Sequence, residues 1–116
     1  MKVEMIATET GHCHDLKAQW EKMKQRALES DVEGTVSYYS NQGDTRELYR
    51  QSFQRMTPRR MHDVFSKLGA LNDCDIAPSG ASAICRCPVT GENGTILETK
   101  VFFENNSDHI WRIKSF

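Results

Sequence analysis

Ala83-Ile84-Cys85-Arg86-Cys87-Pro88-Val89, then Gly91-Glu92-Asn93-Gly94, then Ile96-Leu97-Glu98-Thr99-Lys100-Val101-Phe102-Phe103-Glu104 is the stretch that decides the fold class. Successive side chains on a strand point to opposite faces, so a period of two sorts them into two sets. Ala83, Cys85, Cys87 and Val89 form one inward set, and Leu97, Val101 and Phe103 form the other. The glycine-bracketed polar segment between them has the composition of a hairpin turn. Two more turn compositions flank the pair: Pro78-Ser79-Gly80 before it and Asn105-Asn106-Ser107-Asp108 after it. They predict a strand starting near Leu71 and a last one carrying Trp111 and Ile113 inward, four antiparallel strands in all. The opposite face carries Arg86, Glu98, Lys100, Glu104, Arg112 and Lys114, interrupted by Ile84, Ile96 and Phe102.

Upstream of Leu71 the period is three to four. Leu16, Trp20, Met23, Ala27 and Leu28 make the apolar stripe of a helix over residues 15–30. Ser30-Asp31 reads as a stop and a new N-cap, followed by a short helix with Val32, Val36 and Tyr39. Asp44 with Glu47 three residues later has the spacing of a capping box, ahead of Leu48, Tyr49, Phe53 and Met56. Thr57-Pro58 closes that helix and opens a fourth, because Thr caps and Pro suits the first turn; Met61, Val64, Phe65 and Leu68 follow up to Gly69. Helices first and a meander afterwards give an α+β domain, a curved four-stranded antiparallel sheet packed on N-terminal helices. The organisation expected is a flexible lead-in over 1–14 and one domain over 15–116.

Composition sets the outer bounds. In 116 residues there is room for one hydrophobic core. Fifteen Lys plus Arg against sixteen Asp plus Glu leave a net charge of -1, so no overall field draws the chain to nucleic acid or to an anionic membrane. No apolar run approaches the roughly 20 residues of a spanning helix. Glu4 and Thr8 break the opening stretch, so no signal peptide is read; the chain is expected in the cytoplasm as written, or exported if Met1 replaces a removed leader. Cys13, Cys74, Cys85 and Cys87 are too few for a disulfide scaffold in a chain with its own core, and the expectation is buried free thiols.

Trp20 to Leu28, Asp31-Val32-Glu33-Gly34, Tyr38-Tyr39-Ser40, Tyr49-Arg50-Gln51-Ser52-Phe53 and the closing Ile110 to Phe116 together resemble a small bacterial branch of the NTF2-like, cystatin-like superfamily. The resemblance covers roughly Asp15 to Phe116 and implies a cone of helices packed into a bent sheet. It implies a pocket or an interface and no particular reaction, because that superfamily spans enzymes, carriers, dimerisation modules and immunity proteins. Its enzymes set an Asp, His or Tyr inside the cone, whereas the inward positions here are Ala, Cys, Val, Leu, Phe and Trp.

Three functional expectations follow. A non-enzymatic module contacting a protein, an immunity or accessory partner or a second copy, would use the outer sheet face through Ile84, Arg86, Ile96, Phe102 and Arg112, apolar residues ringed by charge. A small-molecule carrier or enzyme would use the cone, with Trp20, Tyr38 and Tyr49 lining a mouth and His62 or Asp75 as acid or base. A zinc or redox function would use His12, Cys13 and His14, although this cluster lacks the second ligand pair of a structural zinc site. The first is preferred, with no catalytic residue, metal or cofactor assigned. Arg50, Arg55, Arg59 and Arg60 around the junction of the third and fourth helices read as a solvated corner.

Overall fold

A computed structural model describes residues 2–106 and 108–116, with side chains from residue 15 onward. Four helices precede four strands: α1 Lys2–Leu28, α2 Val32–Val36, α3 Thr45–Gln54, α4 Pro58–Ser66, β1 Asn72–Ile76, β2 Ser82–Thr90, β3 Ile96–Asn105 and β4 Trp111–Ser115. The sheet is an antiparallel meander in the order β1-β2-β3-β4, open at its edges.

The backbone of α1 is helical from Lys2, so the helix begins ahead of the start expected at residue 15. The segment contains no proline, and Gly11 alone costs only about 1 kcal/mol in a helix interior, too little to stop one. Leu16, Trp20, Met23 and Ala27 are buried and Leu28 packs against them, as the stripe requires.

Two of the three expected caps form. Asp31 accepts from the Gly34 N–H at 2.9 Å, and Thr57 accepts from the Arg60 N–H at 3.1 Å with Pro58 in the first turn of α4. The capping box at Asp44 does not: its side chain makes no cap hydrogen bond, and Glu47 instead holds Arg50 and Gln51 on its own helix. Glu47 lies one turn from both, and the i,i+3 and i,i+4 pairings win over the reach back to the cap.

The helices cover one face of the sheet. Ala83, Cys85, Cys87, Val101, Phe103, Trp111 and Ile113 are buried against Trp20, Tyr39, Phe53, Met61 and Phe65. Leu97, expected inward, is 59% exposed near the β2–β3 turn, where its register partner Val89 is only half-buried.

Side-chain hydrogen bonds from α1 fasten it to β4 and to the segment after α4. Gln19 Nε2 donates to the Trp111 carbonyl at 3.0 Å, and Trp20 Nε1 donates to the Gly69 carbonyl at 2.9 Å. Lys24 Nζ also reaches Gly69 O, at 3.2 Å. Gly69 must be glycine for steric reasons, since a Cβ there would come within 2.7 Å of the Pro88 ring.

Backbone segments cover two parts of the sheet's periphery. Residues Tyr38 to Ser40 run parallel to β4, with the Ser40 N–H donating to Ile113 O at 2.7 Å and the Ile113 N–H to Tyr38 O at 2.9 Å. The far end of β2 is covered by the segment after α4, through Gly69 N–H to Pro88 O and Thr90 N–H to Lys67 O. Strand β1 pairs with β2 alone and forms the outer edge.

The cysteines differ from expectation. Cys74 and Cys85 face each other in the β1–β2 register and are joined by a disulfide, while Cys87 is a buried free thiol as expected. A β-bulge makes the pairing available. Leu71 and Cys74, three positions apart, would face opposite sides of a regular strand. Asp73, in the left-handed region at φ 34°, takes up the extra residue, so Leu71 is buried and Cys74 still meets the inward Cys85.

Candidate functional site

The cone that a ligand would occupy is filled by side chains. Trp20, Tyr39, Phe65, Phe103 and Trp111 are each no more than 2% exposed. The rings interlock: Trp20 meets Phe116 edge-on at 5.3 Å, Tyr39 lies 4.4 Å from Tyr49, Phe53 meets Phe65 at 5.5 Å, and Phe116 stacks on Tyr49 at 6.1 Å. Such ring pairs contribute roughly 0.5–1.5 kcal/mol each beyond the area they bury. Burial pushes the Tyr39 phenol well above its ordinary range, and its hydroxyl faces the Met23 sulfur at 3.9 Å. It is therefore a neutral core group.

The residues expected at a mouth do not converge. Trp20 is fully buried, its indole N–H spent on Gly69. Tyr49 packs into the ring cluster with its hydroxyl accepting from the Phe116 N–H at 3.4 Å, and Tyr38 is half-buried against the core. His62 is exposed on α4, beside Thr57, Arg59, Arg60 and Asp63 in a surface depression. Asp75 is exposed on β1. No acid or base faces the interior from this set.

Around the α3–α4 junction, Arg50 is held by Glu33 at 2.7 Å and by Glu47, and these hydrogen bonds raise its pKa. Arg60 lies 3.7 Å from Asp63. His12, Cys13 and His14 fall outside the residues whose side chains are described; among the described residues no three His, Cys, Asp or Glu side chains cluster as a metal site.

The outer sheet face is different in kind. Ile84 and Phe102 are direct cross-strand partners on β2 and β3, 41% and 37% exposed. Opposed residues on one sheet face sit about 4.5–5.5 Å apart at Cβ, so the two form one apolar surface. Asp75 lies opposite Ile84 on the other side, and Arg86 and Lys100 form the next outward pair along the strands. Arg86 Nε is 3.8 Å from Glu98 Oε1, an exposed pairing that leaves the guanidinium accessible.

Two residues expected in this set stand apart. Ile96 pairs with Thr90, six residues along β3 from Phe102, about 20 Å away at strand rise. Arg112, opposite Glu104, is only 12% exposed at its side chain and holds Asp108 through two hydrogen bonds of 2.8 and 3.2 Å. That bidentate pair and the Ile110 N–H hold the Asp108 carboxyl below its ordinary range. Arg112 thus braces the turn before β4. Asp75, which had no place on the expected outer face, and Lys100, one of its charged positions, complete the surface; only the strand register reveals their adjacency.

The sequence matches no protein-family model and no curated protein. Among solved structures, a Campylobacter jejuni protein described as an NTF2-like transpeptidase aligns over 81% of this chain and 92% of its own, with a TM-score of 0.52 at 14% identity. The fold is NTF2-like. A Xanthomonas campestris protein described as a calcium/calmodulin dependent protein kinase II association domain aligns over 84% of this chain and 79% of its own, with a TM-score of 0.46 at 16% identity. Within the NTF2-like architecture the inner face of the sheet is occupied by the chain's own rings, and the outer face carries an accessible apolar pair, Ile84 and Phe102.

Proposed function

We propose that this NTF2-like chain is a non-enzymatic binding module that contacts another protein through the outer sheet face around Ile84, Arg86 and Phe102. The observation that carries the reading is the contrast between the faces. The inner face is closed by Trp20, Tyr39, Phe65, Phe103 and Trp111, whereas two large apolar side chains are paired in the open on the outer one. An apolar centre with Arg and a rim of Asp75, Glu98 and Lys100 has the composition of a protein interface, in which aromatic and Arg side chains dominate the binding energy. An immunity or accessory role suits a chain of this size with no converging acid, base and nucleophile among the described residues. The Cys74–Cys85 disulfide supports an oxidising working compartment over the cytoplasm.

The test is co-purification from the native source with the wild type and with the double variant Arg86→Glu, Phe102→Ala, the far-UV spectrum serving as fold control. The expected result is a stoichiometric protein partner, or a second copy, that the double variant loses while keeping its fold. Undiminished association in the folded double variant would overturn the assignment of the surface.

A further inference from the structure

Strand β1 is held to the sheet by little buried surface. Asn72, Asp73 and Asp75 are exposed, and Cys74 and Ile76 are only half-buried. Its ladder with β2 covers Asn72 with Arg86 and then Cys74, Asp75 and Ile76 with Cys85, Ile84 and Ala83, interrupted by the bulge at Asp73. Among the described residues no strand lies on its other side. The rest of the sheet is secured independently. β2 pairs with β3 along its whole length, Ala83, Cys85 and Cys87 are buried under the helices, and Lys67 and Gly69 cover the end of β2 beyond β1. A short, poorly buried edge strand is the kind of segment that opens locally, well below the cost of global unfolding.

We infer that the Cys74–Cys85 disulfide is a reversible latch on this edge: a reducing dithiol opens it and releases β1 from β2 while the remaining fold persists. A thiolate of the dithiol attacks the sulfur of half-buried Cys74, forming a mixed disulfide and expelling the Cys85 thiolate, which takes up a proton. The second thiol of the reductant then displaces Cys74, which leaves as a thiol. One S–S bond in the protein breaks and one forms in the reductant, and two electrons and two protons pass to the protein. Cys87 does not intervene. It is buried, its sulfur lies 3.5 Å from the Gly69 and Pro88 carbonyls, and burial raises its pKa, so it stays a protonated, weak nucleophile. With β1 released, the backbone of β2 from Ala83 to Arg86 becomes a free sheet edge, and Asp75 leaves its place beside Ile84.

Hydrogen exchange of the full chain, followed by mass spectrometry with and without excess dithiothreitol, tests the latch. Reduction is expected to raise the titratable thiols by two and to accelerate exchange at least tenfold in peptides covering 72–77 and 82–86, leaving those of α4 and β4 unchanged. Cys74→Ala, which alters only the half-buried partner, should show the reduced pattern without dithiothreitol, and oxidised glutathione should restore the slow pattern in the wild type alone. An unchanged thiol count, unchanged exchange at the edge after reduction, or acceleration throughout the chain would each overturn the proposal.

Discussion

Replacing Trp20 separates a packed interior from a hollow one. The side chain is fully buried, meets Phe116 edge-on at 5.3 Å and donates its indole N–H to Gly69 O at 2.9 Å. In a close-packed core Trp→Ala costs about 3–5 kcal/mol, through lost transfer energy and a cavity that does not fully collapse. With an unfolding entropy near 2.1 cal/mol/K per residue, that lowers the Tm of a chain this long by about 12–20 °C. Trp20→Phe keeps a ring and loses the N–H. Because Lys24 Nζ still donates to Gly69 O, the carbonyl is not orphaned, and the expected loss is about 1–3 kcal/mol. Thermal unfolding followed by circular dichroism, with the disulfide intact, measures both. A Tm for Trp20→Ala within about 2 °C of the wild type would refute the packed interior.

Two further outcomes follow from the local geometry. Thr57→Ala should cost about 1 kcal/mol in denaturant titrations, because it removes the acceptor for the Arg60 N–H, whereas Asp44→Ala, with no cap bond to lose, should stay within about 0.5 kcal/mol of the wild type. The Asp108 carboxyl is depressed chiefly by its hydrogen bonds from Arg112, so its stabilising contribution is present above the ordinary carboxylate range and is lost as pH falls below about 4 through the folded-state value. A carbon-detected NMR titration should find its midpoint below that of an unfolded-chain Asp. Asp108→Asn should abolish that part of the acid dependence; an unshifted midpoint would contradict the pairing.

Much of the fold was legible because it rests on local rules. The stripe from Leu16 to Ala27, the Thr57-Pro58 helix start and the alternation from Ala83 to Phe103 are each fixed by residues close in sequence, and each appears where the periodicity puts it, apart from the exposed Leu97. What sequence alone hid depends on register or on competition. The disulfide required the extra residue at Asp73, and nothing in the run Leu71 to Cys74 announces a bulge. The capping box at Asp44 failed because Glu47 had better partners one turn on. The same limit applies to the candidate surface. Ile84 and Phe102 could be read as outward, but their direct opposition, the distance of Ile96 and the engagement of Arg112 by Asp108 are matters of strand pairing. Trp20 and Tyr49 were eligible for a pocket mouth as amphipathic rings as well as for an apolar stripe, and tertiary packing buries Trp20 in the core and sets Tyr49 against it.

The most direct single test is native mass spectrometry of the untagged protein from its natural source, read beside its denatured, non-reduced mass. The account predicts a complex with a protein partner or a second copy, no small-molecule adduct, and a chain mass about 2 Da below that of the fully reduced form. A stoichiometric small-molecule adduct on a lone chain would contradict it, because the ring-filled cone would then have to be a binding cavity.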